Sequence, residues 1–377
     1  MSHLLKTTIC LVFSLLTYGL SIAQTYNLLV GTYTKPSAGE GIYVYSFDGK
    51  TGNAVFRSMV RTEHPSFLAL ANSKRYLYAV NEQGNGKGAV SAFSYNRYSG
   101  ELRFVDSQYT EGDAPCHISI DKKDQTVVVS NYSGGNLSVF GVEPNGTLSP
   151  IVQKEQYYGS SVNRDRQEKS HVHSAFFTPS NQQLLVQNLG TDKIYIYPFN
   201  KRDRKRPVEL DKVKEIDVKP GSGPRHVAIN KKGNHIYLVT EMIPLVQVYK
   251  MEKGTFDLVQ EESIVESGFA GTVGAADIKL SPDGKFLYAS NRGDANDMSI
   301  FSIDKKTGKL TFLKRISTLG KGPRNFAMTP DGKYLLVAHQ YTNDVVVFAR
   351  DKKSGLLEYT GKKIEVGAPV CLVFDKL

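Results

Sequence analysis

Ser281-Pro282-Asp283-Gly284-Lys285-Phe286-Leu287-Tyr288-Ala289 and Thr329-Pro330-Asp331-Gly332-Lys333-Tyr334-Leu335-Leu336-Val337-Ala338 are two copies of one hairpin. Asp-Gly between two apolar runs is a strong hairpin signal, because glycine supplies the positive φ that the turn needs. Weaker copies lie at Asn72-Ser73-Lys74, Lys122-Lys123-Asp124, Pro179-Ser180-Asn181 and Lys231-Lys232-Gly233. A second turn follows each of them, at Thr51-Gly52, Ser99-Gly100, Asn145-Gly146, Lys253-Gly254, Thr307-Gly308 and Ser354-Gly355. These glycines recur about every 50 residues, the period of propeller blades. One interval, from Gly146 to Gly254, is double, and the basic stretch Lys201-Arg202-Asp203-Arg204-Lys205-Arg206 stands where the missing turn belongs.

The expected fold is therefore all-β: a seven-bladed β-propeller of four-stranded blades with alternating apolar positions along each strand. The ends fit this count. Pro369-Val370-Cys371-Leu372-Val373-Phe374 reads as a lone first strand, and Tyr26-Asn27-Leu28-Leu29-Val30-Gly31 as a second strand without its first. The C-terminal strand should complete the opening blade and close the ring, removing the sheet edges an open array would expose. No composition shift divides the rest, so residues 24–377 are expected to form one domain.

Residues 1–23 are set apart. Lys6 lies in a short polar start, Ile9 to Tyr18 is almost wholly apolar, and Ser21-Ile22-Ala23 ends in small residues. That is the pattern of a cleaved secretory signal, too short for a stable membrane anchor. The mature chain would start at Gln24 and be periplasmic or secreted. It would keep two cysteines, Cys116 and Cys371, expected to be buried free thiols. The formal charge of +10 favours anionic partners, but no basic helix or nucleic-acid module accompanies it, which excludes a nucleic-acid reading. A monomer is expected.

In a propeller the start of every first strand and the end of every second strand meet at one channel mouth. First-strand starts carry His64, His117, His173, Arg225 with His226, Asp277, and Arg324 with Asn325. Second-strand ends carry Glu82, Asn131, Asn188, Glu241, Arg292 and His339. A ring of His, Arg, Glu and Asn is an anion-accepting pocket with acid–base groups. Structural alternatives stand beside each. Asn131 and Asn188 occupy turns that favour Asn anyway, His64, His117 and His339 could bond blade backbones, and Glu241 with Arg292 could be a plain ion pair. Arg225 and Arg292 near one axis repel unless an anion or carboxylate joins them. His171 and His173 alternate at a strand start, as in a zinc site, but no third ligand stands close in sequence. The reading preferred here needs no metal or other cofactor.

The stretch Arg166-Gln167-Glu168-Lys169-Ser170-His171-Val172-His173, with Gly223-Pro224-Arg225-His226, Thr240-Glu241, Ser290-Asn291-Arg292 and Asn131-Tyr132-Ser133-Gly134-Gly135, resembles the propeller lactonase family. That family includes bacterial 6-phosphogluconolactonase and fungal carboxy-cis,cis-muconate cyclase. The resemblance covers the whole mature chain and implies a catalytic set of one His, two Arg and one Glu, matching His173, Arg225, Arg292 and Glu241. Arg166, His171, His117, Asn131, Glu82, Asn188, Arg324 and His339 are the expected substrate-binding residues around them. The implied reaction is hydrolysis of a small anionic or sugar-derived lactone. A His or Glu with a near-neutral pKa would take the proton of water: His173, with Glu241 orienting it or sharing the task. The arginines would hold the oxyanion. A muconate-type cycloisomerase, a non-catalytic binding propeller and a calcium-dependent lactonase are the alternatives.

Overall fold

Seven four-stranded antiparallel sheets follow one another along the chain, with a single 3-10 turn, Leu210–Lys212, as the only helical element among the described residues. The structure is a computed structural model describing residues 24–252 and 254–377; the segment read as an export signal, residues 1–23, lies outside them. The first strand of each blade packs on the first strand of the next at all seven junctions, which closes the ring around a central channel.

The blade that closes the ring is the split one. Pro369–Lys376 pairs antiparallel with Thr25–Thr32, and Gly41–Asp48 and Ala54–Arg61 complete that sheet. This is blade 1; the others follow in chain order as blades 2 to 7. In blade 4 the connection between Lys193–Pro198 and Lys214–Asp217 carries Lys201–Arg206, in place of the short glycine turn used elsewhere.

Each junction holds one apolar cluster, and successive residues of a strand serve opposite neighbours. In Tyr76–Asn81, Leu77 and Ala79 pack toward blade 1, while Tyr78 and Val80 pack toward blade 3. Both faces of the second strands are therefore buried, and they read as continuous apolar runs such as Thr126–Asn131. The expected alternation holds instead on the outermost strands, such as Glu101–Tyr109, where one face meets water.

A tyrosine latch repeats between blades. Tyr78 donates to the Gly146 carbonyl at 3.1 Å, Tyr237 to Gly308 at 3.0 Å and Tyr288 to Gly355 at 2.6 Å. These are the turn glycines of the next blade, all at positive φ. The periodic glycines are thus also acceptors that lock neighbouring blades. Cys116 and Cys371 are free and buried.

Candidate active site

A β-bulge at the start of the first strand decides what reaches the channel mouth. In blade 3 Pro115 faces Asn131 and His117 faces Ser130, so Cys116 drops out of the ladder. The same skip leaves out His173 in blade 4, Arg225 in blade 5 and Arg324 in blade 7. A bulge breaks the pairing and re-aims the extra side chain. His173, Arg225 and Arg324 therefore share one structural position. The next residue shares another, occupied by His117, Ser174, His226 and Asn325.

The second strands end by a parallel rule. Their last paired residues include Thr32, Asn131, Asn188, Thr240 and His339. The side chain that follows is the one offered to the mouth: Tyr33, Tyr132 and Glu241, with Glu82 in the matching place of blade 2; in blade 6 the strand runs on to Gly293, and Arg292 is still paired with Gly274. Three expected binding residues are corrected by this register. Asn131 is fully buried and donates to Ser138 Oγ at 3.0 Å. Asn188, equally buried, accepts from the His171 N–H at 3.0 Å and donates to Ser170 Oγ at 2.8 Å. His339 is fully buried with Nδ1 2.9 Å from Asp344 Oδ1. Asn131 and His339 tie neighbouring strands of one blade and Asn188 ties its strand to the Ser170–His171 loop, so all three are spent on buried contacts.

Glu241 is the hub. Its Oε2 accepts from Arg225 Nε at 2.9 Å and lies 3.2 Å from Arg292 Nη2, while Oε1 accepts from Arg166 Nη2 at 2.7 Å. Two strand-end arginines that would repel are thus joined by a carboxylate. Arg166 arrives from a loop whose next residue anchors it: buried Gln167 donates to the Leu189 carbonyl at 2.8 Å and to Asp192 at 2.7 Å. Burial alone would raise the Glu241 pKa, but Arg292, Arg225 and Arg166 outweigh it and hold the carboxyl well below the usual range. Glu241 is a fixed anion, which corrects the expectation that it could share the work of a base.

His173 Nε2 lies 3.9 Å from Glu241 Oε2, and its Nδ1 is buried without a partner. Burial, then Arg225, His226, Arg324 and Arg292, push its pKa well below 6.5, so the ring is neutral, and more acidic than the near-neutral base expected from sequence. His226 packs edge-on to His173 at 5.3 Å between ring centroids, and its Nδ1 sits 3.1 Å from Asp277 Oδ1. His117 lies deeper, between Phe67 at 4.3 Å and Phe176 at 4.5 Å, with 1% of its surface exposed. It packs inside this aromatic cluster, which corrects the expected substrate contact to a buried packing residue.

The alternate histidines do not face one centre. His171 stacks on Tyr132 at 4.5 Å and bonds the Tyr132 carbonyl and Glu168, while His173 meets the edge of Tyr132 at 5.6 Å. His171 so positions Tyr132 and makes no pair with His173. No group of three or more His, Cys, Asp or Glu side chains is spaced to hold a metal among the described residues. Tyr132 and Tyr33 are mouth residues that the sequence reading missed. Aligning the residue after each second strand would have found both. Across the mouth from Glu241, Tyr33 donates to Glu82 Oε2 at 2.8 Å and Arg324 lies over the Tyr33 ring at 5.4 Å.

Fold and site together define a seven-bladed propeller with a charged cluster of His, Arg and Glu side chains where the inner strands begin. The family model described as Lactonase, 7-bladed beta-propeller matches residues 27–374. A 6-phosphogluconolactonase of Formosa agariphila is 37% identical over 342 residues, 90% of this chain and 96% of its own. One from Bacillus subtilis is 33% identical over 348 residues, 92% and 97% of the two chains. The solved structure titled as the periplasmic gluconolactonase of Pseudomonas aeruginosa matches with a TM-score of 0.88 at 36% identity, over 93% of this chain and 99% of that one. This chain belongs to the seven-bladed propeller lactonase family.

Proposed function

We propose that this chain is a lactone hydrolase acting on a sugar-derived, 6-phosphogluconolactone-like lactone, with His173 as the base. The observation that carries the reading is a neutral imidazole 3.9 Å from a carboxylate shared by three arginines at the channel mouth. His173 takes a proton from water as the oxygen attacks the lactone carbonyl. The carbonyl electrons move to oxygen, and Arg292 and Arg166, the more exposed guanidiniums on Glu241, stabilise that oxyanion. Glu241 stabilises the imidazolium that forms. On collapse the ring C–O bond breaks, the imidazolium returns its proton to the leaving alkoxide, and the open hydroxy acid departs. Arg225 is 1% exposed, so it acts through Glu241 rather than on substrate. The names of the relatives from Formosa agariphila and Bacillus subtilis support the substrate class.

Export to the periplasm or medium is part of the same proposal. It is supported by the signal-like pattern of residues 1–23 and by a relative titled as periplasmic. No helix among the described residues is long and apolar enough to cross a membrane.

Purified protein assayed against glucono-1,5-lactone, 6-phosphogluconolactone and muconates tests the reaction. Lactone hydrolysis lost in His173→Gln, with a normal melt, is the expected result. Turnover of muconates alone would replace hydrolysis with cycloisomerisation, and turnover of none would leave a binding propeller.

A further inference from the structure

The mouth has a second half that the hydrolytic chemistry above does not use. Blades 7, 1 and 2 contribute Arg324, Tyr33 and Glu82, and their arrangement differs from the Glu241 hub in one respect. Arg166, Arg225 and Arg292 all reach a carboxylate oxygen. Arg324 makes no hydrogen bond or ion pair with any described residue, although it is only partly exposed. What it touches is the Tyr33 ring, 5.4 Å from the guanidinium carbon, and Tyr33 is fixed in turn by its hydrogen bond to Glu82; the charges of Glu82 and Glu241 favour the cation without reaching its donors. A half-buried guanidinium with its planar fork of donors unused costs free energy unless something supplies acceptors.

Arg324 stands at the same bulge position as His173 and Arg225, so the repeat sends all three to one rim. Charge agrees. The mouth holds four guanidiniums, those of Arg166, Arg225, Arg292 and Arg324, against the carboxylates of Glu241 and Glu82. An excess of about two positive charges remains, and three of the four arginines are already committed to Glu241. The fourth, Arg324 on blade 7, reaches no carboxylate oxygen.

We propose that Arg324, carried on the Tyr33–Glu82 platform, is the specificity subsite for an anionic group, phosphate or carboxylate, borne by the lactone at the end away from its ring ester. The inference rests on the lactonase reading. It places the reacting carbonyl against His173 and the Glu241 hub, and the distal anion against blade 7. Planar bidentate recognition of such oxyanions is what a free guanidinium provides and an ammonium does not. Glu82 acts through Tyr33 and is a positioning residue.

The test measures kcat/KM for three lactones: neutral glucono-1,5-lactone, 6-phosphogluconolactone and the carboxylate-bearing glucaro-1,4-lactone. The expected result is a preference of the wild type for one or both anionic lactones. Arg324→Gln should reduce the ratio of anionic to neutral kcat/KM by roughly 10- to 100-fold, the scale of a lost charged hydrogen bond. Arg324→Lys should keep an intermediate ratio, and the lactone whose ratio falls most identifies phosphate or carboxylate as the ligand. A ratio that stays the same in both variants, or a wild type that favours the neutral lactone, would overturn the subsite and leave hydrolysis standing. A wild type that hydrolyses none of the three would overturn the lactonase reading itself.

Discussion

Arg225 Nε and Glu241 Oε2 meet at 2.9 Å, and both side chains are buried. Arg225 also donates to the Ala276 carbonyl of blade 6. The pair is a structural joint between blades 5 and 6 as much as part of a pocket. Removing one partner of a buried pair strands the other, at a cost of about 3–5 kcal/mol. Arg225→Ala should therefore lower the melting temperature markedly as well as the rate. Glu241→Gln should lose on the order of 10²–10³ in kcat while leaving three arginines in mutual repulsion. Thermal melts run beside kinetics check both, and a wild-type melt for Arg225→Ala would refute the joint.

The pH–rate profile should report His173. Burial and then the neighbouring Arg225, His226, Arg324 and Arg292 favour the neutral ring. A base with a depressed pKa stays competent in acid, so kcat/KM should fall only well below 6.5. Arg324→Gln removes one of the depressing charges and should move that limb to higher pH. A limb centred at 6.5 in the wild type would exclude His173 as this buried base.

Stability should also fall in acid. His117, His173 and His226 are buried with pKa values below 6.5, that of His226 reaching about 4 through burial first and Arg225 second. Unfolded histidines bind protons near 6.5 that the folded ones refuse, so the unfolded state gains as pH drops. Each contribution is complete above 6.5 and is lost as pH falls below it; that of His226, roughly 3 kcal/mol, is lost between 6.5 and about 4. Urea midpoints at pH 7, 6 and 5 should decrease in that order.

Truncation after Ala368 removes the inner strand of blade 1, including buried Val370, Cys371 and Leu372. The exposed edges of Thr25–Thr32 and the open ring should abolish cooperative unfolding. Adding the peptide 369–377 in excess should restore part of it, as read by circular dichroism melts.

Thiol counting tests processing. Cys116 and Cys371 are buried, so the native protein should resist a thiol reagent that labels both in denaturant. Native protein isolated from cells should then show two thiols; a third, from Cys10, would mean that residues 1–23 are retained.

The architecture was legible in the sequence because each blade repeats the same two turns, and turn chemistry is local. The split blade followed from unmatched ends, and the odd Lys201–Arg206 connection from a doubled interval. The site was legible only to within a residue. Glu82 and Glu241 stand one place beyond the last paired residue and Arg292 is still paired, with Gly274, whereas Asn131, Asn188 and His339 stand on the last pair. A shift of one reverses which way a side chain points along a strand. The bulges at Cys116, His173, Arg225 and Arg324 depend on how two strands pair, and no local residue pattern announces them. The pKa values were out of reach for the same reason: the three arginines on Glu241 come from a loop and from blades 5 and 6.

The split blade also sets a timetable. Thr25–Thr32 leaves the ribosome more than 300 residues ahead of the strand it pairs with on its inner side, Pro369–Lys376. At roughly 5–20 residues per second, that edge waits tens of seconds for its partner. Blades 2 to 7 can each pair internally as they emerge, but the circle becomes a circle only when the strand Pro369–Lys376 arrives. Quality control is thereby built into chain order: until residues 369–376 are in place, Thr25–Thr32 keeps an open inner edge and blade 7 has no inner strand of blade 1 to pack on.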